Sequence, residues 1–272
     1  MPELPEVETT CRGIAPHIDG TTVTRVIVRN KNLRWPVPAR LNATLSGQAI
    51  NNVNRRGKYI LIHTAAGCLI MHLGMSGSLS ITDADTPPRK HDHVDIVFDS
   101  GKCLRLHDPR RFGSIHWTKA DPLEHKLLVK LGPEPLSSDF DIEHLWQASR
   151  KRRIAIKSFI MDSHIVVGVG NIYASEALFR AGIHPKQAAG RVTHAAYEKL
   201  VTEIKKVIKQ AIKQGGTTLR DFTNSEGKPG YFKQKLKVYG REGEACTICS
   251  TPIRQVTIGQ RASYFCPACQ KK

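Results

Sequence analysis

The chain has 272 residues, 40% of them hydrophobic, and carries 41 Lys+Arg against 24 Asp+Glu, a formal charge of +17. No apolar run approaches the ~18 residues a membrane helix needs, and the N-terminus lacks the basic-then-apolar pattern of a secretion signal, so a soluble, cytoplasmic protein is expected. A field of that sign suits a polyanion; nucleic acid is the expected partner, because a basic amphipathic helix with a bulky aromatic face, which would favour an anionic membrane, is missing.

The chain opens Met1-Pro2-Glu3-Leu4-Pro5-Glu6. Proline at position 2 is small enough for Met1 to be removed, which leaves a secondary amine with a carboxylate one residue away. An α-amino group titrates at about 7.7–8.0, so part of it is unprotonated near neutrality. Such an amine can attack an electrophilic carbon and form an iminium, and the carboxylate can give or take the proton. Six residues alone do not separate this chemistry from an ordinary acidic surface. Apolar positions Leu4, Val7, Cys11, Ile14 and Ala15 predict a helix over 3–15, ended by Pro16.

Short runs follow at Thr22–Val28, Tyr59–His63, Cys68–His72, Leu79–Thr82, Val94–Phe98 and Leu104–Leu106, punctuated by Gly, Asn, Asp and Pro. They predict an antiparallel sandwich or barrel. Among them lie basic knots, Arg55-Arg56 with Lys58 and Arg110-Arg111, spaced as a backbone clamp would need. Met75 sits between Gly74 and Gly77, and Phe112 in a turn-like Asp108–Gly113. An apolar side chain on such a loop can wedge between bases or pack back onto a core, and composition does not choose. His91-Asp92-His93 lacks a third metal ligand nearby and fits a structural or phosphate-contacting role. Cys11, Cys68 and Cys103 are isolated and read as small buried hydrophobes.

Leu131–Leu136, with its Gly and two Pro, marks a boundary, after which the apolar period changes from 2 to 3.6. Arg150–Arg153 is a basic run expected to begin a helix. Val167–Tyr173 places glycines before Asn171, which as a helix cap suits phosphate capture at a helix N-terminus. Tyr197, Leu200, Val201, Ile204, Val207, Ile208, Ala211 and Ile212 predict one face of a long helix over 194–213, ended by Gly215-Gly216. Residues 217–234 have little periodicity and read as a mobile loop. Cys246 and Cys249 are separated from Cys266 and Cys269 by sixteen residues, the spacing of a closed, structural four-thiolate zinc site. A hairpin between the pairs would carry Arg254 and Arg261.

Taken together, Met1–Thr9, Arg56–Tyr59, His72–Gly77, Lys90–His93, Asp108–Gly113, Leu131–Pro135, Gly168–Tyr173, Gly182–Pro185 and the four-cysteine tail with Gln260-Arg261 resemble the bacterial formamidopyrimidine-DNA glycosylase family from end to end. The resemblance implies an α+β multidomain chain: an N-terminal β-sandwich with an N-terminal helix (1–131), a helix–two-turn–helix domain with a lesion-binding loop (132–234) and a zinc-finger hairpin (235–272). It implies Pro2 as the nucleophile at C1′, Glu3 as the general acid, Lys58 as the residue serving β-elimination and Arg261 as the one serving δ-elimination. His91, Arg110, Lys151 and Asn171 resemble phosphate contacts, and Met75, Arg110 and Phe112 resemble the trio that fills the vacated duplex. The implied cofactor is one structural Zn2+, and the implied partner is damaged double-stranded DNA, bound by a monomer without a small-molecule cofactor or a membrane. Two rivals stay open. Endonuclease VIII shares the fold and the Pro nucleophile but prefers oxidised pyrimidines. A non-enzymatic zinc-ribbon DNA-binding protein would leave Glu3 beside a processable Pro2 unexplained.

Overall fold

A computed structural model describes residues 2–216 and 235–271; the loop expected at 217–234 lies outside them. The described residues form two compact units, one of 2–130 with 214–216, the other of 131–213 with 235–271.

The first unit opens with helix α1 (Leu4–Ile18), for which Glu3 is the N-cap. Pro5 falls in the first turn, where its missing N–H would have no helical partner anyway. Glu6 completes a capping box, its carboxylate accepting the Glu3 N–H at 2.8 Å. Val7, Cys11, Ile14 and Ile18 enter the core. The expected stop at Pro16 is corrected: the helix runs through it to Ile18. In the last turn proline removes one hydrogen bond, and burying Ile18 completely offsets that loss.

Eight strands follow: β1 (Val23–Val28), β2 (Ile50–Arg56), β3 (Tyr59–Thr64), β4 (Gly67–His72), β5 (Ser78–Asp83), β6 (Asp92–Phe98), β7 (Lys102–His107) and β8 (Ser114–Thr118), with a short helix α2 (Leu41–Leu45) between β1 and β2. They form two four-stranded sheets, ordered β1-β6-β7-β5 and β2-β3-β4-β8. Val26, Val94, Ile96 and Leu104 from the first sheet share one core with Val53, Ile60, Ile62, Leu69 and Met71 from the second, so the sheets form a sandwich with α1 against it. β6 is buried along its whole length, charges included. Asp95 lies 2.9 Å from Arg105 and 2.5 Å from Arg29. Burial pushes its carboxyl up, and the two guanidiniums more than reverse this, holding it below the usual carboxylate range.

The second unit contains α3 (Ile142–Ser149), α4 (Ile156–Ile160), α5 (Asn171–Ala181), α6 (His194–Lys213) and the hairpin β9 (Arg254–Ile258)–β10 (Arg261–Phe265). The apolar face expected on α6 is buried from Tyr197 to Ala211, against α5 and α3. Arg150–Arg153 does not begin a helix. α3 ends at Ser149, Lys151 takes left-handed backbone (φ 62°), and α4 begins at Ile156. Arg150 is a structural staple there, stacked 3.4 Å from the Trp146 ring centre and bonded to the carbonyls of Gly190 and Val192. Among the described residues, no helix is long and apolar enough to cross a membrane.

Candidate active site

Pro2 is buried immediately before α1, and Glu3 is 3% exposed. The Glu3 backbone is held at both ends, its N–H donating to the Glu6 carboxylate and its carbonyl accepting the Val7 N–H at 3.1 Å, so Pro2 and its neighbouring carboxylate start from a rigid helix end. Glu8 continues the anchoring one turn later. Its carboxylate lies 2.7 Å from both Arg55 on β2 and Arg12 on α1. Burial raises Glu8, but the two guanidiniums hold it below the usual carboxylate range. The ion pair with Arg55 ties α1 to the strand that leads into the turn carrying Lys58. The chain leaving α6 also passes this site: a Cβ added to Gly216 would lie 3.0 Å from Oε1 of Glu6.

Lys58 is half-buried in the β2–β3 turn. Next to it the structure adds a residue that sequence reasoning did not assign, His72 at the end of β4. Its ring lies 4.8 Å from that of Tyr59 across the β3–β4 ladder. Its Nδ1 accepts the Gly74 N–H at 3.0 Å, which places the remaining ring proton on Nε2. Burial, with Lys58 and Arg34 nearby, pushes this imidazole down to about 4, so it is neutral at physiological pH and can donate from Nε2. The motif His72–Gly77 contained the signal, but only the sheet register shows that His72 stands beside Lys58.

The second cluster is formed by loops. Met75 is 39% exposed and Phe112 43% exposed. Gly74 brings their loops into contact. It is left-handed (φ 65°), and a Cβ there would fall 2.3 Å from the backbone carbon of Phe112. Arg110 stacks on the Phe112 ring at 4.8 Å. Arg110, Arg111 and Phe112 border a cleft of about 540 Å³ with Asn32, Leu33 and Arg34 on its other wall. His91 is half-exposed with φ 75°, its backbone carbonyl accepting from Asp108 N–H at 3.0 Å. His93 is buried and donates to the Asp108 carbonyl at 2.9 Å, a structural role. Cys11, Cys68 and Cys103 are buried.

In the second unit Asn171 is not the helix cap it was expected to be: Gly170 is the cap, and Asn171 is the first helical residue. Its side chain turns instead to the hairpin. Asn171 donates to the Ala262 carbonyl at 3.0 Å, and its oxygen accepts from the buried Lys157 ammonium at 2.5 Å. Lys157 also reaches the Ala262 carbonyl (3.1 Å) and the Ser263 hydroxyl (2.7 Å). These contacts hold β10 directly after Arg261, which is exposed beside the Gly259-Gln260 turn. Both turn residues have positive φ (53° and 59°), as a tight two-residue hairpin turn requires. Lys151 sits elsewhere, in a basic cleft of about 640 Å³ lined also by Arg152, Arg153 and Arg191. Glu176, fully buried on α5, accepts the N–H groups of Lys237, Val238 and Tyr239 at 2.9–3.0 Å. It anchors the chain that enters the zinc hairpin.

Replacing Lys157 with Met is expected to leave the part-buried Asn171 oxygen without its donor, at about 1–3 kcal/mol before relaxation, and to take one of two donors from the Ala262 carbonyl and the ammonium from the Ser263 hydroxyl. Thermal denaturation should show a lower midpoint; an unchanged midpoint would show that these bonds do not hold the hairpin.

The four cysteine sulfurs of residues 246, 249, 266 and 269 all lie within 4.8 Å of one another. Three of the separations are 3.5, 3.5 and 3.9 Å. Zinc–thiolate bonds of about 2.3 Å in a tetrahedron put sulfurs roughly 3.8 Å apart, so the cluster fits zinc, and the distances are far longer than a disulfide's. One structural zinc is held here, with no coordination position left for substrate.

A β-sandwich joined to a helix–two-turn–helix unit with a thiolate zinc hairpin is the class of the zinc-finger DNA glycosylases. Comparison with known proteins agrees along the chain. The formamidopyrimidine-DNA glycosylase N-terminal domain matches residues 1–115, its H2TH domain residues 131–223, and the zinc finger found in FPG and IleRS residues 243–272. The chain is 58% identical over 271 residues to formamidopyrimidine-DNA glycosylase of Thioalkalivibrio sulfidiphilus and 59% identical to that of Methylococcus capsulatus, each covered completely. Among solved structures it is similar to Lactococcus lactis Fpg bound to DNA containing Fapy-dG, with a TM-score of 0.93 at 33% identity and full coverage of both chains. The chain belongs to the formamidopyrimidine-DNA glycosylase family.

Proposed function

We propose that this enzyme, a DNA glycosylase with abasic-site lyase activity, removes oxidised purines such as 8-oxoguanine and formamidopyrimidines from duplex DNA. The observation that carries the reading is the buried Pro2–Glu3 pair at the capped start of α1. After Met1 is removed, the Pro2 nitrogen attacks C1′ of the damaged nucleotide. The glycosidic bond breaks, and the base leaves with its electron pair and takes up the proton that the Pro2 nitrogen loses. Glu3 delivers a proton to the sugar ring oxygen as the ring opens, leaving an iminium between Pro2 and C1′. The iminium acidifies the C2′ proton. Its removal expels the 3′ phosphate, assisted by Lys58, and a second elimination expels the 5′ phosphate, assisted by Arg261.

The rest of the molecule supports the step that precedes chemistry. A stacked base must leave the duplex, at a cost of a few kcal/mol. Met75 and Phe112 fill the space it vacates, with Arg110 beside them. His91, Arg110, Lys151 and Asn171 hold backbone phosphates, which fixes the kinked duplex without reading its sequence. The protein acts as a monomer in the cytoplasm. Measuring excision of 8-oxoguanine and thymine glycol in the same duplex context tests the substrate class. Faster removal of 8-oxoguanine is expected, and a preference for thymine glycol would assign the chain to the endonuclease VIII reading.

A further inference from the structure

Asp108 has no part in the mechanism above, yet its side chain is completely buried among the loops that meet DNA. One carboxylate oxygen accepts the Ser76 hydroxyl at 3.2 Å; the other accepts the Gly113 N–H at 2.7 Å. Each bond ends one residue from a wedge side chain, since Ser76 follows Met75 and Gly113 follows Phe112. The backbone of Asp108 is held in turn. Its carbonyl accepts from Arg111 N–H at 3.1 Å and from the buried His93 ring at 2.9 Å, and its own N–H donates to His91.

We infer that Asp108 is the positioning residue for base extrusion: one carboxylate clamps the Met75 loop to the Phe112 loop, so that both side chains enter the duplex as a unit. The inference rests on the wedge reading of Met75 and Phe112. The loops leave neighbouring strands, with His72 opposite Ser114 on β4–β8 and Ser78 opposite His107 on β5–β7; between those ladders they meet where Gly74 touches the Phe112 backbone and where Asp108 bridges. A carboxylate suits the place because both partners are donors and it offers acceptors only. Asparagine keeps one acceptor for Gly113 and turns its amide toward a hydroxyl that can also accept, so it preserves much of the clamp. Alanine removes both bonds and leaves a buried N–H unpaired.

The test compares two substrates. One is a duplex with 8-oxoguanine, from which a base must be extruded. The other is the same duplex with a pre-formed abasic site, which has no base to extrude. For Asp108→Ala, kcat/KM on the lesion duplex is expected to fall about 10–100-fold, the effect of misplacing a functional group by roughly an ångström. Cleavage at the abasic site should fall far less. Ser76→Ala, which removes only one of the two bonds, should show the same selectivity at smaller size and carries the test if the alanine variant fails to fold. Asp108→Asn should recover most of the lesion activity. Equal losses on both substrates, or no loss on the lesion, would overturn the inference. Met75→Ala and Phe112→Ala are measured alongside. If they excise 8-oxoguanine at the full rate, the wedge reading itself fails; if they are impaired while Asp108→Ala is not, only the clamp fails.

Discussion

Enzyme that keeps Met1 is expected to bind a lesion duplex with ordinary affinity and to excise almost nothing. With Met1 attached, the Pro2 nitrogen is a tertiary amide whose lone pair is delocalised into the carbonyl. The residues proposed to hold phosphates and to fill the vacated duplex do not include the N-terminal amine, so binding should survive. Removing a covalent nucleophile costs on the order of 10⁴–10⁶ in rate. The experiment pairs processed and Met1-bearing protein, with mass spectrometry to establish which is which, and measures both affinity and single-turnover excision. If affinity is lost together with activity, the N-terminus serves binding rather than chemistry. Glu3→Gln is the milder relative of this variant, expected to slow excision by about 10²–10⁴, the usual worth of a general acid.

The second large effect is expected from zinc loss, by chelation or through Cys266→Ser. The hairpin's own core is small. Phe179, Val238, Cys246, Ile253 and Cys266 are its buried members, and two of those are zinc ligands. Zinc contributes about 10–16 kcal/mol of apparent binding free energy in isolated finger peptides, which here is the hairpin's folding energy. Without it, Arg261 loses its support, and so do the Ala262 and Ser263 groups that hold Lys157 and Asn171. DNA affinity should fall by about ten- to a hundredfold, matching the loss of one charge-assisted contact of roughly 1.5–3 kcal/mol. The sandwich has its own core and should melt as before. Metal analysis with two-phase melting checks this. An affinity unchanged by complete zinc removal would show that the hairpin does not carry a DNA contact.

How much of this was legible in the sequence depends on the range of the interactions concerned. The four cysteines were, because a metal site of two close pairs writes its geometry into spacing. The long face of α6 was, because its period repeats over twenty residues. β2 and β8 were not foreseen. In Ile50–Arg56 only Ile50 and Val53 are buried, and the strand exists because β3 offers it a ladder. The helix expected at Arg150–Arg153 was overridden by the turn that Arg150 staples to Gly190 and Val192, forty residues further on. Asn171 was read as a cap, whereas its side-chain partners come from α4 and β10. The buried polar residues that organise the site were the least visible. Glu176, Lys157, Asp108 and His72 are ordinary letters until the fold brings them their partners.

Borohydride trapping tests whether the N-terminal proline itself carries the reaction. Processed enzyme is mixed with a lesion duplex and sodium borohydride, and the trapped complex is digested and mapped by mass spectrometry. The reduced adduct is predicted on the nitrogen of Pro2, in the peptide that begins with that residue. An adduct mapped to Lys58 or to another lysine, or one formed equally well by protein that still carries Met1, would contradict it.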